Sequence, residues 1–411
     1  MATYEAPGVY VEELPITPTI VGVGTSTAGF IGVVPEDVVM PLDPTDATQT
    51  TRLPLAKVGE PVLVTSFEQY KRAFGDFQEW GGEDPEQPGN SVLAHSVFGF
   101  FSNGGSACFV ARLAEAGNLD DVPAVQAVLD KFAAIDEIAL VVAPGALDAG
   151  VQNAIIEHCA GEKLQDRFAI IDGQPEPETF SDEDIKGGLH DTDAGKSDYA
   201  ALYFPFVKVS NREPDAPDAN KTIDLPPSGL VAGIYARVDN ARGVHKAPAN
   251  EGVRGALGVT RQTSKAEQAA VNLQGINLIR QLNGSILVWG ARTLGSIDNS
   301  KIAYINVRRL LIFLRESIDE GTQFAVFEPN SPPLWEKIIR SVTGLLTRVW
   351  RDGALFGVVP EQAFFVKCDE TTNPPETREI GRVITEIGVA PVKPAEFVIF
   401  RIAQFPEIAT A

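Results

Sequence analysis

The residue types that carry most metal and thiol chemistry are scarce in this chain. Its 411 residues include 4 histidines, 3 cysteines and 2 methionines. The histidines, His95, His158, His190 and His245, form no His-x-x-x-His pair, and there is no Cys-x-x-Cys pair. The usual spacing of a zinc site is therefore missing. Cys108, Cys159 and Cys368 are odd in number and far apart. That argues against a disulfide framework and for folding in a reducing cytoplasm. Basic charge is short as well: Lys and Arg total 34 against 55 Asp and Glu, for a net charge of −21. A nucleic-acid binder needs a basic face for phosphates, and docking on anionic lipid needs one too, so neither is expected. No apolar run reaches the roughly 18–20 residues of a membrane span. The opening "MATYEAPGVYVEEL" has no basic region and no apolar signal core, and it reads without a secretory signal.

Two strings approach a nucleotide-binding motif and miss it. "GVGTSTAG" (22–29) begins Gly-x-Gly after an apolar strand, but Thr27 stands where the third glycine belongs. Close packing of a strand explains these glycines better. "GLHDTDAGKS" (188–197) ends like a phosphate loop, but His190 replaces the leading glycine and no apolar strand precedes it. It reads as a polar surface loop. No Gly-x-Ser-x-Gly elbow occurs. A Ser-His-Asp triad is assembled in space, so spacing alone leaves it open. No cofactor and no catalytic residue is assigned.

What the chain does have is alternation of helical and strand patterns. Residues 66–74, 90–101, 121–135 and 146–162 carry helical periodicity. "SACFVARLA", "EIALVVAP", "RFAIIDG" and "DYAALYFPFVKV" read as apolar strands between them. The order implies an α/β body around a largely parallel sheet. Residues 40–62 and 210–229 are polar and proline-rich and read as loops. "SGLVAGIYARVDNARG" reads as a helix. The texture changes near 285–300, where a second domain is expected. From there the pattern predicts a strand "SILVWGARTL", a long helix from 300, a strand "TQFAVFE" (322–328) and a second long helix from 332. Two late strands, "FFVKCDE" (364–370) and "GRVITEIGV" (381–389), follow.

Two features call for a partner. In "PAEFVIFRIAQ" (394–404), six of the seven positions Phe397–Ala403 are apolar and only Arg401 interrupts them. A strand of that kind needs both faces covered. It is either a central strand of the chain's own C-terminal sheet or a strand added to another chain's sheet. In "PPLWEKIIRSVTGLLTRVWRDG", Ser331 is a candidate cap and the two prolines suit the first turn. Leu334, Ile338, Val342, Leu345 and Val349 form one apolar stripe at 100° per residue. Lys337, Arg340, Arg348 and Arg351 form a second, basic stripe. It is either a solvated face with local ion pairs or a contact for an acidic partner.

Six strings taken in order resemble the contractile tail sheath family of phage tails, R-type bacteriocins and related injection systems. They are "APGVYVEE", "FFSNGGSACFVARL", "VHKAPANE", "VWGARTL", "YINVRRL" and "GVAPVKPAEFVIFRI". The resemblance covers nearly the whole chain. The chain lacks the large outer domains of some phage sheaths and looks more like bacteriocin or injection-system sheaths. The resemblance implies an α/β fold of the kind called subtilisin-like, without hydrolase activity. It implies an N-terminal arm over residues 1–20, an α/β sheath domain over 21–290, a C-terminal α+β domain over 291–393 and a C-terminal arm over 394–411. The arms are expected to pair with neighbouring subunits: Val9, Tyr10, Val11 and Glu12 at one end, and Phe397, Val398, Ile399, Phe400 and Ile402 at the other. By position, Phe365, Val366, Lys367, Val383, Ile384 and Thr385 form the receiving ribbon. The basic stripe, Lys337, Arg340, Arg348 and Arg351, is expected to face an inner tube. The implied partners are further copies of the chain, the inner tube, and baseplate and terminal cap proteins. Assembly is expected in the bacterial cytoplasm, followed by residence in a tail-like particle or virion. The rivals are a subtilisin-like hydrolase and a non-contractile oligomeric shell subunit.

Overall fold

The structure, a computed structural model, describes residues 20–46, 48, 50–78, 90–115, 119–213, 221–296, 301–397 and 399. The chain divides into two units. The larger holds residues 24–313 and the segment from 391 onward; the smaller holds residues 20–23 and 314–390. The helix Ile305–Thr322 belongs to both.

The larger unit is built on a mixed sheet. Its strands are β1 (Ala28–Val33), β2 (Val62–Val64), β3 (Cys108–Leu113), β4 (Leu140–Val142), β5 (Phe168–Asp172), β6 (Ala200–Phe204), β9 (Glu251–Gly252), β11 (Ile276–Leu282) and β12 (Ser285–Val288). Their order is β2-β3-β1-β4-β5-β6-β11-β12-β9. The run from β3 to β11 is parallel, and β2, β12 and β9 add antiparallel edges. Alternate residues of the central strands feed two separate cores. Phe30, Val110, Val142, Ile170 and Tyr203 face the helices Asn90–Asn103 and Ser228–Arg242. Ile31, Ala111, Val141, Ala169 and Leu202 face the helices Val122–Phe132 and Ala149–Ala160. Both faces are covered, which is why these strands read as continuous apolar runs.

The near-miss motifs have packing roles. A side chain at Gly29 would meet the Phe132 ring at 2.7 Å, and one at Gly32 would meet Leu93 at 2.8 Å. Gly195, in the Gly-Lys-Ser string, leaves only 2.1 Å between a would-be Cβ and the Leu189 carbonyl. "DYAALYFPFVKV" is not one strand. It breaks at Pro205, which has no N–H for a central ladder. Beyond the break, β7 (Val207–Ser210) joins β8 (Thr222–Leu225) and β10 (Ala256–Val259) in a separate antiparallel sheet.

In the smaller unit, the helix Pro332–Arg351 buries the expected stripe: Leu334, Ile338, Val342, Leu345 and Val349 are all in its core. Ser331 takes the N-cap position but its side chain does not cap. Its hydroxyl donates to the Pro329 carbonyl at 3.2 Å instead. The expected strand at 322–328 is absent: Gln323–Ala325 is a 3-10 turn and Phe327 has φ +67°. A strand cannot pass through that left-handed conformation. Among the described residues, the remaining strands, β13 (Phe364–Lys367) and β14 (Glu386–Val389), pair only with each other.

Candidate assembly site

The β13–β14 ribbon places two backbone edges at the surface of the smaller unit. Residues pair as Phe364 with Val389, Phe365 with Gly388, Val366 with Ile387 and Lys367 with Glu386. The Ala390 N–H donates to the Ala363 carbonyl at 2.9 Å, which sets the alternation of the ladder. Phe365–Gly388 and Lys367–Glu386 are then the hydrogen-bonded pairs, and the peptide groups of Val366, Ile387 and Val389 point outward, whereas the Phe364 N–H is taken by the Pro360 carbonyl. Among the described residues no other strand joins either edge. Phe365 lies across Gly388, where a Cβ would come within 2.1 Å of its ring, and it remains 57% exposed.

Of the other expected ribbon residues, Val383, Ile384 and Thr385 lie outside the strand and immediately precede β14. Both peptide groups of Ile384 are engaged inside the unit. The buried Asn373 amide accepts from its N–H at 2.7 Å and donates to its carbonyl at 3.0 Å. Nothing in the sequence pattern pointed to Asn373.

The C-terminal segment leaves β14 and joins the larger unit at Pro391. Asn306 holds the Val392 carbonyl at 3.1 Å and the His245 carbonyl at 2.8 Å. Glu396 is then clamped. Arg292 donates to both of its oxygens, Nε to Oε1 at 3.0 Å and Nη2 to Oε2 at 2.5 Å. Tyr304 donates at 3.0 Å and Asn272 at 2.5 Å. Burial acts to raise the Glu396 pKa, but the bonds from Arg292, Asn272 and Tyr304 together hold it below the usual carboxylate value. Immediately beyond the clamp, Phe397 is 71% and Ile399 77% exposed. Val398, Phe400 and Ile402 lie outside the described residues, as do Val9, Tyr10, Val11 and Glu12 of the N-terminal arm. The clamp residues were missed in the sequence, although Arg292, Tyr304 and Glu396 each sit in one of the six strings. A lone acid just ahead of an apolar run was the available signal.

The other chain end has a root on the smaller unit. Ile20 is buried, and a side chain at Gly321 would meet it at 2.5 Å. The Val23 N–H donates to the Ser317 hydroxyl at 3.1 Å, and Arg348 donates to the Ile20 carbonyl. Arg348, expected in the basic stripe, thus holds the chain where the N-terminal segment ends. Lys337 lies 4.4 Å over the Phe324 ring. Arg340 and Arg351 are exposed on the same helix.

A deeply buried pair fixes the start of the larger unit. Arg309 bonds both Asp239 oxygens at 2.9 and 2.6 Å and the Thr25 carbonyl at 2.8 Å. At the C-terminal end of β5, Asp172 accepts from the Ser228 N–H at 2.8 Å, the Ser228 hydroxyl at 2.7 Å and the Gly145 N–H at 3.2 Å. Burial pushes its pKa up to about 6, against those bonds. No imidazole is bonded to this Ser–Asp pair among the described residues. His95 bonds Ser91 and Arg212, and His190 bonds Asp182 and Asp191.

Bare ribbon edges, apolar residues held out beyond a polar clamp and a second rooted chain end define a class: a structural subunit built to assemble. Comparison with known proteins says which one. The phage tail sheath protein central domain matches residues 120–294, and the phage tail sheath C-terminal domain matches residues 298–405. The tail sheath protein of Burkholderia phage BcepMu is 30% identical over 196 residues, which are 46% of this chain and 39% of that protein. The tail sheath protein of Vibrio phage KVP40 is 26% identical over 185 residues, 44% of this chain and 26% of that protein. The chain thus spans well under half the length of these curated relatives. Among solved structures, the PVC sheath complex of an extracellular contractile injection system, in the contracted state, is 28% identical. It covers 99% of each chain at a TM-score of 0.73. The contracted helical sheath of the anti-feeding prophage is 29% identical over 98% of this chain and 100% of that one, at a TM-score of 0.72. The chain belongs to the phage tail sheath family, a family of structural proteins and not of enzymes.

Proposed function

We propose that the protein is the repeating subunit of a contractile sheath, which polymerises helically around an inner tube and shortens to drive that tube through a target envelope. The observation that carries this reading is the end-to-end likeness to sheaths solved in the contracted state, 98–99% of this chain against 99–100% of theirs. The N- and C-terminal arms, over residues 1–20 and 394–411, leave their own subunit and add strands to the two outer edges of a neighbour's β13–β14 ribbon. Strand addition pairs the outward peptide groups of Val366, Ile387 and Val389. It also covers Phe397 and Ile399, whose exposure in the isolated chain supports the reading. The basic helix face faces the tube. The extended sheath is a metastable state held by a kinetic barrier. Contraction moves subunits as rigid bodies while the exchanged strands keep them tethered. The particle is a phage tail or an extracellular contractile injection system, assembled in the bacterial cytoplasm with a baseplate and a terminal cap.

Electron microscopy of the purified chain tests the whole reading. Long striated tubes are expected; closed particles would point to a shell instead. Deleting residues 1–13, or residues 397–411, should leave a subunit with unchanged circular dichroism that forms no tubes. If either truncation unfolds the larger unit, the arms are part of the subunit's own core and the exchange is wrong.

A further inference from the structure

Two of the six strings, "FFSNGGSACFVARL" and "VHKAPANE", converge on one place in the larger unit. Asn103 is buried there. Its amide donates to the Gly99 carbonyl at 2.9 Å and the Arg254 carbonyl at 3.1 Å, and its side-chain oxygen accepts from the Arg254 N–H at 2.9 Å. Arg237 donates to the Asn103 carbonyl at 2.9 Å and to the Gly252 carbonyl at 2.7 Å. Lys246 donates to the Ala247 and Ala249 carbonyls at 2.6 and 3.0 Å. These bonds fix the backbone of residues 247–254. Beside it, among residues of β9, β10 and the β11–β12 hairpin, lies an open cleft of about 510 Å³. Arg237, Arg254, Leu257, Gln281 and Ser285 are part of its lining.

The charges at this cleft do not balance. Glu251 is the one carboxylate in the lining, and it is already shared between Lys246 at 3.3 Å and Arg237 at 3.8 Å. Arg254 is exposed, and among the described residues its guanidinium has no hydrogen bond or ion pair; its bonds to Asn103 run through the backbone. Burial, and after it the charge of Arg254, hold the Arg237 pKa below its ordinary value, with Glu251 opposing them. Three cations thus face one carboxylate in a concave place on a chain of net charge −21. A guanidinium offers a planar fork that matches a carboxylate. Leu257, 60% exposed, adds an apolar contact at the same place. We propose that the Arg237–Arg254 cleft is a docking site for an acidic side chain of a second copy of the chain. Copies that each carry −21 repel one another at long range, so their association needs places where opposite charge is concentrated. With 55 Asp and Glu on every copy, a neighbour supplies the complement. The proposal rests on the reading of the chain as a self-assembling subunit.

The test compares the full-length chain with R254E, R254Q and K163E. Lys163 is exposed and outside the cleft, so K163E makes the same change in net charge elsewhere. The Arg254 side chain carries no bond of the fold, so both substitutions there should leave circular dichroism unchanged. Each chain is scored for polymer by sedimentation and microscopy, and its monomer fraction for binding of a hexaglutamate peptide at low salt. R254E should lower polymer roughly tenfold or more, R254Q by less, and K163E should polymerise normally. Hexaglutamate should bind R254E roughly threefold or more weakly than the unaltered monomer, and K163E as tightly. Normal polymer from R254E overturns the proposal. So does an equal loss from K163E, since net charge and not the cleft would then govern assembly, and so does a monomer of R254E that binds hexaglutamate unchanged. A different result would strike the reading beneath it: closed particles from the unaltered chain would end the sheath reading, and loss of those particles in R254E would still support the cleft.

Discussion

Two carboxylates of the larger unit respond to pH in opposite senses. The folded-state pKa of Asp172 is raised from 3.8 to about 6, so the fold binds its proton more tightly than the unfolded chain does. Its contribution is fully present below pH 3.8 and is lost as pH rises through about 6. At about 1.4 kcal/mol per pKa unit, the larger unit should lose about 3 kcal/mol from this group between pH 4 and 7. Urea unfolding at intervals across that range should show the fall, and D172N should flatten it. An unchanged slope in D172N would mean that Asp172 is not the group responsible. Glu396 has the reverse sign. Its pKa is lowered from 4.5, so the clamp is fully charged above that value and opens only as pH falls below it. Glu396 is therefore charged through the part of the Asp172 window that lies above pH 4.5.

At the scale of elements, the helices Asn90–Asn103 and Ser228–Arg242 pack closely in the larger unit. Glycines let their backbones approach. A Cβ at Gly233 would come within 2.3 Å of the Phe100 carbonyl, and one at Gly229 within 2.7 Å of Ser96. Backbone cannot step aside as a side-chain tip can. Gly233→Ala should therefore push the helices apart and cost about 1–3 kcal/mol, the usual range for overpacking. A melting curve of the variant checks this; a shift within error would mean the helix pair has slack. The ribbon poses the opposite case. Two strands alone are marginally stable, and β13–β14 is steadied from within by the helix Pro332–Arg351, by Asn373 on Ile384 and by Phe365 across Gly388. Its edges can stay bare because its faces are supported.

At the scale of the whole molecule, the proposed tube contact rests on Arg340 and Arg351, exposed on the helix Pro332–Arg351 of a chain of net charge −21. Exposed ion pairs are worth about 0–1 kcal/mol each and are screened by salt. Under the proposed function, contacts of that strength repeated along a sheath would template assembly and still release the tube. R340E/R351E should leave folding and arm exchange intact and give sheaths that are empty or already contracted. Arg348 is left out of this test because it holds Ile20, and changing it would disturb the N-terminal root as well. Normally extended, tube-filled particles from R340E/R351E would mean that the tube contact lies elsewhere.

The sequence alone determined what depends on local order. Hydrophobic periodicity set the helices and the apolar strands, and the stripe from Leu334 to Val349 was buried as its spacing required. Composition set the charge, and six strings set the family. Residues 222–225, expected within a loop, form β8 because they pair with β7, and two further failures in the pattern were local conflicts decided elsewhere. Apolar residues at 322–328 had no strand to pair with, so Phe327 turned left-handed, and Pro205 divided one apolar run between two sheets. The site was the tertiary structure's decision. Arg292 meets Glu396 across 104 residues and Arg348 meets Ile20 across 328. A charged side chain on a helix or loop has the same local signature whether it faces water, a tube or the root of an arm. Which of these it meets is set by the path of the chain, and periodicity carries no information about that path.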